Sequence, residues 1–240
     1  MNISSYQSEN YWNDIDKRLE SLKKNGHVKL PSIKDLNIDS IAEEINNEMN
    51  GATFSELGKS HENFLKDLEL DKNLTPRLFK IAREEYGYKG EVSNQYHIAR
   101  RVEPGNSKEM YRAHFDSHLF TIVFPLKIPQ STNDGSAGEL IYFPNARKSP
   151  KNELKNITDK VYFKRFASKD GMEKFALNNK QYTENFNDYS PLLFIGNTTL
   201  HTNKQVSPDC SSYRLTLLAH FFDSSSKFGV GNIMRIVRGR

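Results

Sequence analysis

From about residue 92 the chain breaks into short runs rich in β-branched and aromatic residues, separated by Pro, Gly, Asn and Ser. They lie at 95–102, 110–115, 119–124, 139–143, 160–166, 192–195 and 213–222. This texture constrains the fold more than any other feature. Runs of about four to eight such residues bounded by turn formers read as strands. Several of them at short spacing predict an all-β sandwich or barrel.

The first third reads differently. Tyr11, Ile15, Leu19 and Leu22 share one face of a helix over 11–24, and Asn25-Gly26 stops it. His27-Val28-Lys29-Leu30-Pro31 alternates like a short strand. Ser40 and Glu43 form a capping box ahead of Ile41, Ile45 and Met49. A helix over 76–86 takes Thr75 as N-cap, Pro76 in its first turn and Gly87 as its stop. The expected organisation is one domain: helical support over 1–91, a β core over 92–223, and a basic tail over 224–240. Residues 1–10 read as a flexible arm. The polar, lysine-rich stretch 144–190 interrupts the core as an insertion with a hairpin or helix of its own. The fold class is therefore mainly β with flanking helices.

Composition excludes several functions. The one cysteine, Cys210, rules out an internal disulfide, a thiolate zinc site and an iron–sulfur cluster. Beside Asp209 in a polar loop, it lacks the positive neighbour a nucleophilic thiolate needs. A balance of 34 basic against 30 acidic residues, spread along the chain, is no nucleic-acid signature, and no basic stripe interleaved with aromatics is present. No segment approaches the roughly 20 apolar residues of a membrane span. The polar N-terminus lacks a signal peptide's basic start and apolar run, so a cytoplasmic, intracellular location is expected.

The chemistry concentrates in two places. In His114-Phe115-Asp116 the residues two apart point to the same side of a strand, so imidazole and carboxylate can reach one ion. His201 follows the run PLLFIGNTTLH. Two His and one carboxylate cap one face of an octahedron and leave three positions open, as in non-heme Fe(II) oxygenases. Alone, an H-x-D is a common accident. Downstream, Arg214 and Thr216 share a face of the strand SYRLTLL. A guanidinium turned inward needs an anionic partner, and a dicarboxylate would supply one. Turned outward, the same Arg would be ordinary surface.

Taken together, these segments resemble the Fe(II)/2-oxoglutarate-dependent dioxygenases, most closely the prolyl-hydroxylase-like branch. RRVEPGNSKEMYRAHFDSH (100–118) is similar to its strand, Pro-Gly turn and Tyr-x-x-His-x-Asp arrangement. AGELIYFPN (137–145), IGNTTLH (195–201) and SSYRLTLLAHFF (211–222) resemble its later core strands. NGHVKLP (25–31) is similar to the opening of related hydroxylases, including the phytanoyl-CoA type. The resemblance implies a double-stranded β-helix, or jelly roll, with His114, Asp116 and His201 as ligands of Fe(II). It implies Arg214 on the 5-carboxylate of 2-oxoglutarate, assisted by Thr216, and Tyr111 beside the co-substrate or the metal. O2 is the oxidant and ascorbate a supporting reductant. Because Asp116 is present, hydroxylation or a related oxidation is implied rather than halogenation.

The sequence departs from that branch at Val102, where Tyr is usual, and at Arg214, where collagen-type enzymes carry Lys. The interval between the metal motifs is also long. The expected partner is a small-molecule or peptide substrate, and the sequence carries no signal of oligomeric state. Two other readings stay open: a cupin-like metal enzyme that does not use 2-oxoglutarate, and a non-catalytic jelly-roll binding module. Among the remaining histidines, His118 is expected near the rim and His220 as a hydrogen-bonded core residue. His27, His61 and His97 are read as structural or exposed. Of Arg100 and Arg101, on adjacent faces of one strand, one points inward if that strand is part of the barrel; it either meets an anionic substrate or snorkels from an edge, and the snorkel is expected.

Overall fold

The structure is a computed structural model that describes residues 11–56, 58–131, 135–150 and 153–223. The expected arm over 1–10 and tail over 224–240 lie outside these residues. Nine strands form two antiparallel sheets among the described residues. The larger contains β1 (His27–Lys29), β2 (Phe54–Ser55), β3 (Gln95–Val102), β4 (His118–Lys127), β7 (Leu192–Ile195) and β9 (Arg214–Asp223), in the order β1-β7-β4-β9-β3-β2. The smaller contains β5 (Leu140–Phe143), β6 (Tyr182–Glu184) and β8 (Leu200–Asn203), in the order β6-β5-β8. The two sheets bear out the β core expected from the strand texture, and their arrangement is the jelly roll that the resemblance implies.

Period-two alternation decides what each face of the large sheet does. On β4, Phe120, Ile122 and Phe124 enter one core, together with Leu215, Leu217, Ala219 and Phe221 of β9. The helices cover that face: α1 (Ile15–Asn25), α2 (Ile38–Met49), α3 (Lys59–Asp67), the single turn α4 (Leu70–Asn73) and α5 (Thr75–Tyr86). They bring Leu19, Leu22, Ile41, Ile45, Phe64, Leu65, Leu78 and Ala82 into the same core. The opposite parity, with Thr121 and Val123 of β4 and Arg214, Thr216, Leu218 and His220 of β9, lines the cavity between the sheets. Among the described residues no helix is long and apolar enough to cross a membrane.

Several boundaries differ from expectation. The capping box at Ser40 is not used: α2 begins at Ile38 behind Asn37 in a left-handed conformation (φ 56°), which places Ser40 inside the helix. Thr75 is not an N-cap. The single turn α4 runs into α5 through Leu74, and the Thr75 hydroxyl donates to Asp71 instead. Residues 110–115 follow a single 3-10 turn and make only one isolated bridge, His114 with His201. The run 160–166 is not a strand, because α6 (Glu153–Lys164) takes most of it.

That helix belongs to the insertion, which continues through α7 (Lys169–Ala176) into β6. Ser168 caps α7 by accepting from the Gly171 N–H at 3.0 Å. Phe163, Met172 and Phe175 pack with Phe115, Ile141, Phe143 and Leu200, so the insertion forms a wall of the cavity. Arg147 fastens it. Its guanidinium donates to the Asn197 carbonyl at 2.8 Å and to Asn156 of α6 at 3.2 Å. It lies 3.6 Å from Asp159 and 4.0 Å above the Phe115 ring.

Candidate active site

The cavity has a volume of about 910 Å³. His114, Asp116, His201, Arg214, Thr216 and Tyr111 all border it, so every site residue expected from the sequence lies in one place. The chain gathers them by two backbone devices. His114 and His201 exchange N–H···O bonds of 3.1 Å in both directions, although 87 positions separate them (201 − 114). The Asp116 N–H donates to the Gly196 carbonyl, which ties the H-x-D segment to the turn before β8.

The resulting geometry is tight. His114 Nε2 lies 3.6 Å and His201 Nε2 3.7 Å from Asp116 Oδ1. One donor atom from each of the three residues falls within 4.8 Å of the others. The far side of each ring is engaged. His114 Nδ1 donates to the Arg112 carbonyl at 2.7 Å, and His201 Nδ1 to the Thr199 carbonyl at 3.1 Å. That fixes the tautomer and turns both Nε2 lone pairs toward the carboxylate, as a metal site requires. Half of the His114 ring's surface faces open cavity (51% exposed). Even so, the surrounding protein and the neighbouring His201 push its pKa down to about 4, which keeps it neutral. At Asp116 burial favours the neutral acid. The His201, His220 and His114 rings and the Thr121 hydroxyl outweigh it and hold the carboxyl well below its usual range.

Behind the carboxylate sits an arrangement that sequence alone did not reveal. Thr121 Oγ1 donates to Asp116 Oδ2 at 2.6 Å and accepts from His220 Nδ1 at 3.0 Å. His220 is buried, as expected of a core histidine, yet it also borders the cavity. The link depends on Thr121 and His220 being register partners across β4 and β9. Gly196 closes the arrangement from the other side. A β-carbon there would lie 2.8 Å from Thr121 Oγ1, 2.9 Å from the His118 carbonyl and 3.0 Å from Asp116 Cβ. His118 is buried and stacks 5.1 Å from His220, outside the cavity lining.

At the other end lies Arg214, whose residue is 4% exposed. No carboxylate stands within 4 Å of its guanidinium among the described residues. Burial, together with the charge of Arg100, brings its pKa down to about 9, and Glu139 opposes this from a distance. A buried guanidinium without an anion is costly, and it borders a cavity that could admit one. Thr216 lies on the same face, opposite Arg100 of β3. Arg100 is therefore the inward residue of the pair and borders the cavity. Arg101 is the outward residue, packed 4.3 Å over the Tyr213 ring and paired with Glu103. Tyr111 adopts φ 50°, an uncommon conformation for a side-chain-bearing residue. Val102, opposite Arg214, packs with Val206 and Cys210 and contributes no polar group.

No protein-family model matches this chain, and no curated protein matches it in sequence. Solved structures do. A prolyl 4-hydroxylase of Phytophthora capsici is 14% identical, with a TM-score of 0.57 over 95% of this chain and 69% of that one. A prolyl hydroxylase of Trichoplax adhaerens, in complex with a hypoxia inducible factor oxygen degradation domain peptide fragment, is 13% identical. It gives a TM-score of 0.54 over 94% of this chain and 96% of that one. A prolyl-4-hydroxylase of Pseudomonas putida is 11% identical, with a TM-score of 0.53 over 87% of this chain and 98% of that one. At such identities the likeness is one of fold: the chain has the prolyl-hydroxylase jelly roll.

Proposed function

We propose that this protein is an Fe(II)/2-oxoglutarate-dependent oxygenase, most simply a hydroxylase, acting inside the cell on a small-molecule or peptide substrate. One observation carries the reading: a His-Asp-His set with both Nε2 atoms turned inward shares a cavity with a buried guanidinium that has no carboxylate beside it. The donor set fits the metal. Two imidazoles and one carboxylate suit Fe(II), and the Nδ1 contacts to backbone carbonyls leave both Nε2 atoms to the metal. The fold likeness to prolyl hydroxylases supports the same reading.

His114, Asp116 and His201 would hold the ion, which when bound supplies the oxidative chemistry that couples conversion of 2-oxoglutarate and O2 to succinate and CO2 with oxidation of the substrate. The chain's own residues position and shelter that chemistry. Arg214 would bind the 5-carboxylate by paired charged hydrogen bonds, with Thr216 adding its hydroxyl. That contact fixes the co-substrate's orientation from its distal end. Thr121 and His220 hold Asp116 ionised and aimed. Tyr111 and the insertion's Phe163 line the cavity, and their rings would limit water there. Ascorbate would act only as a supporting reductant.

The test is calorimetric titration of 2-oxoglutarate into the protein loaded with Mn(II), a metal that does not turn over. Binding is expected, and Arg214→Ala should weaken it at least about 100-fold, since a paired charged contact is worth roughly 3 kcal/mol. Absence of binding to the Mn(II)-loaded protein refutes the proposal. Binding that Arg214→Ala leaves unchanged points to a metal enzyme of another kind.

A further inference from the structure

The insertion carries a surface that the cavity does not use. Among the described residues seven large hydrophobic side chains stand exposed, and five belong to this one segment: Leu154, Ile157, Val161, Tyr162 and Leu177. Three of them form a stripe on α6. The packed face of that helix is Asn156, Asp159 and Phe163, which recur at i, i+3 and i+7. Leu154, Ile157 and Val161 repeat the same interval two positions earlier, about 200° round the helix, and so point away from the fold. They are 72%, 42% and 69% exposed. Polar residues would serve the helix equally well at these positions, so the stripe marks a surface that meets something apolar.

Charge says what kind of surface that is. Residues 147–180 hold ten basic against four acidic residues, whereas the remainder of the chain holds 24 against 26 (34 − 10 and 30 − 4). The excess stays at eight against four when Lys155, which meets Asp159, and Lys160 are left out of the count. Exposed Lys164 lies three positions past Val161, on one flank of the stripe. Exposed Lys148 borders one crevice with Thr158 and Tyr162, on the other flank. A second copy of the chain would set like charge against like charge. So would residues 224–240, which hold four basic residues and no acid. A protein groove would have to close around the helix, yet its inner side is occupied by Phe115, Phe175 and Arg147. What fits is flat contact with a surface that is anionic outside and apolar beneath.

We propose that α6 docks this protein on an anionic lipid bilayer. It lies in the interface with Leu154, Ile157 and Val161 below the headgroups and with Tyr162, Lys148 and Lys164 at their level. Phe163, on the inner side of the same helix, borders the cavity. Docking therefore sets a wall of the cavity about one helix diameter, roughly 10 Å, from the lipid. This inference does not depend on the oxygenase reading.

The experiment is co-sedimentation of the full chain with sucrose-loaded vesicles, either of phosphatidylcholine alone or with about 30% phosphatidylglycerol. At about 0.1 M salt, partition onto the anionic vesicles should be at least about ten-fold stronger than onto the neutral ones. L154Q/V161Q removes exposed apolar surface and no packing. It should lower the partition at least about ten-fold with the thermal midpoint unchanged. K148Q/K164Q should lower it about three-fold or more. Val92→Gln removes an exposed side chain outside the insertion and should leave it within about two-fold. Equal binding to both vesicles, or no binding to either, overturns the proposal; the second result is the one expected if a protein or a second copy covers the stripe. Retained binding in L154Q/V161Q also overturns it, because a basic protein would then be adsorbing by charge alone. A Val161→Trp protein gives a reading that does not depend on that double variant. Its added emission should shift to the blue on anionic vesicles and be quenched by brominated lipid, and absence of quenching overturns the proposal.

Discussion

Thr121→Val isolates the support behind the carboxylate. Valine has nearly the shape of threonine, so the packing beside Val123 and Gly196 survives and only the hydroxyl is lost. That hydroxyl bridges Asp116 Oδ2 at 2.6 Å and His220 Nδ1 at 3.0 Å. A hydrogen bond to an ionised acceptor contributes about 1.5–3 kcal/mol. Its loss also strands a His220 N–H inside the protein, because the next acceptor, Asp116 Oδ2, is 3.8 Å away. If most of the first quantity is expressed in ligand orientation, metal affinity falls about ten- to hundred-fold, at about 1.4 kcal/mol per decade. Calorimetric titration of Mn(II) measures it, with Thr121→Ser as the conservative control that restores the bridge. A change below about three-fold in the valine variant, or equal loss in the serine variant, refutes the argument. It would mean that the backbone alone aims Asp116.

Other expectations follow from single contacts. Gly196→Ala should cost about 1–3 kcal/mol in denaturant unfolding and weaken metal binding, because its methyl meets both the His118 carbonyl and Asp116 Cβ at 3.0 Å or less. Arg214→Met should raise the thermal midpoint of the ligand-free protein while abolishing the 2-oxoglutarate response, since it removes a buried unpaired cation from a site kept for function. Arg147→Met should cost about 3 kcal/mol by leaving Asp159 buried with Lys155 alone, and should expose 144–190 to limited proteolysis. Burial, reinforced by the His220 and His61 rings, lowers His97 from 6.5 to about 4, while Asp71 opposes the shift. The neutral ring is thus favoured by folding. Its contribution is complete above about pH 6.5 and is lost as pH falls through about 4, with a ceiling of roughly 3 kcal/mol. Urea unfolding between pH 7 and 4 should show a shallower loss in His97→Asn than in the parent.

The part of this protein that was legible in advance is what period and chemistry can carry. His114 and Asp116 sit two apart, and so do Arg214 and Thr216. Alternation alone placed each pair on one side of the chain, and the structure keeps both pairs on the cavity side. The misread stretch 160–166 shows where that logic stops. The buried face of α6 carries Asn156, Asp159 and Phe163, two of them polar because they meet Arg147. Exposed Leu154, Val161 and Tyr162 occupy the other side. Its hydrophobic pattern therefore does not mark the packed face, and β-branched and aromatic residues suggested a strand.

What the sequence determined by itself was local: strands over most of the core runs after residue 92, and which chemical groups share one side of the chain. The tertiary structure decided the rest, because register between strands is not written in any one strand. Only the pairing of Thr121 with His220 supports the carboxylate, and only the facing of Arg100 with Thr216 brings a second guanidinium inside. Only the packing of Phe163 and Arg147 against the Phe115 segment turns a polar insertion into a wall of the site. Each of these depends on groups far apart in the chain meeting at hydrogen-bond or van der Waals range, and that range is fixed by the packing of the whole sheet.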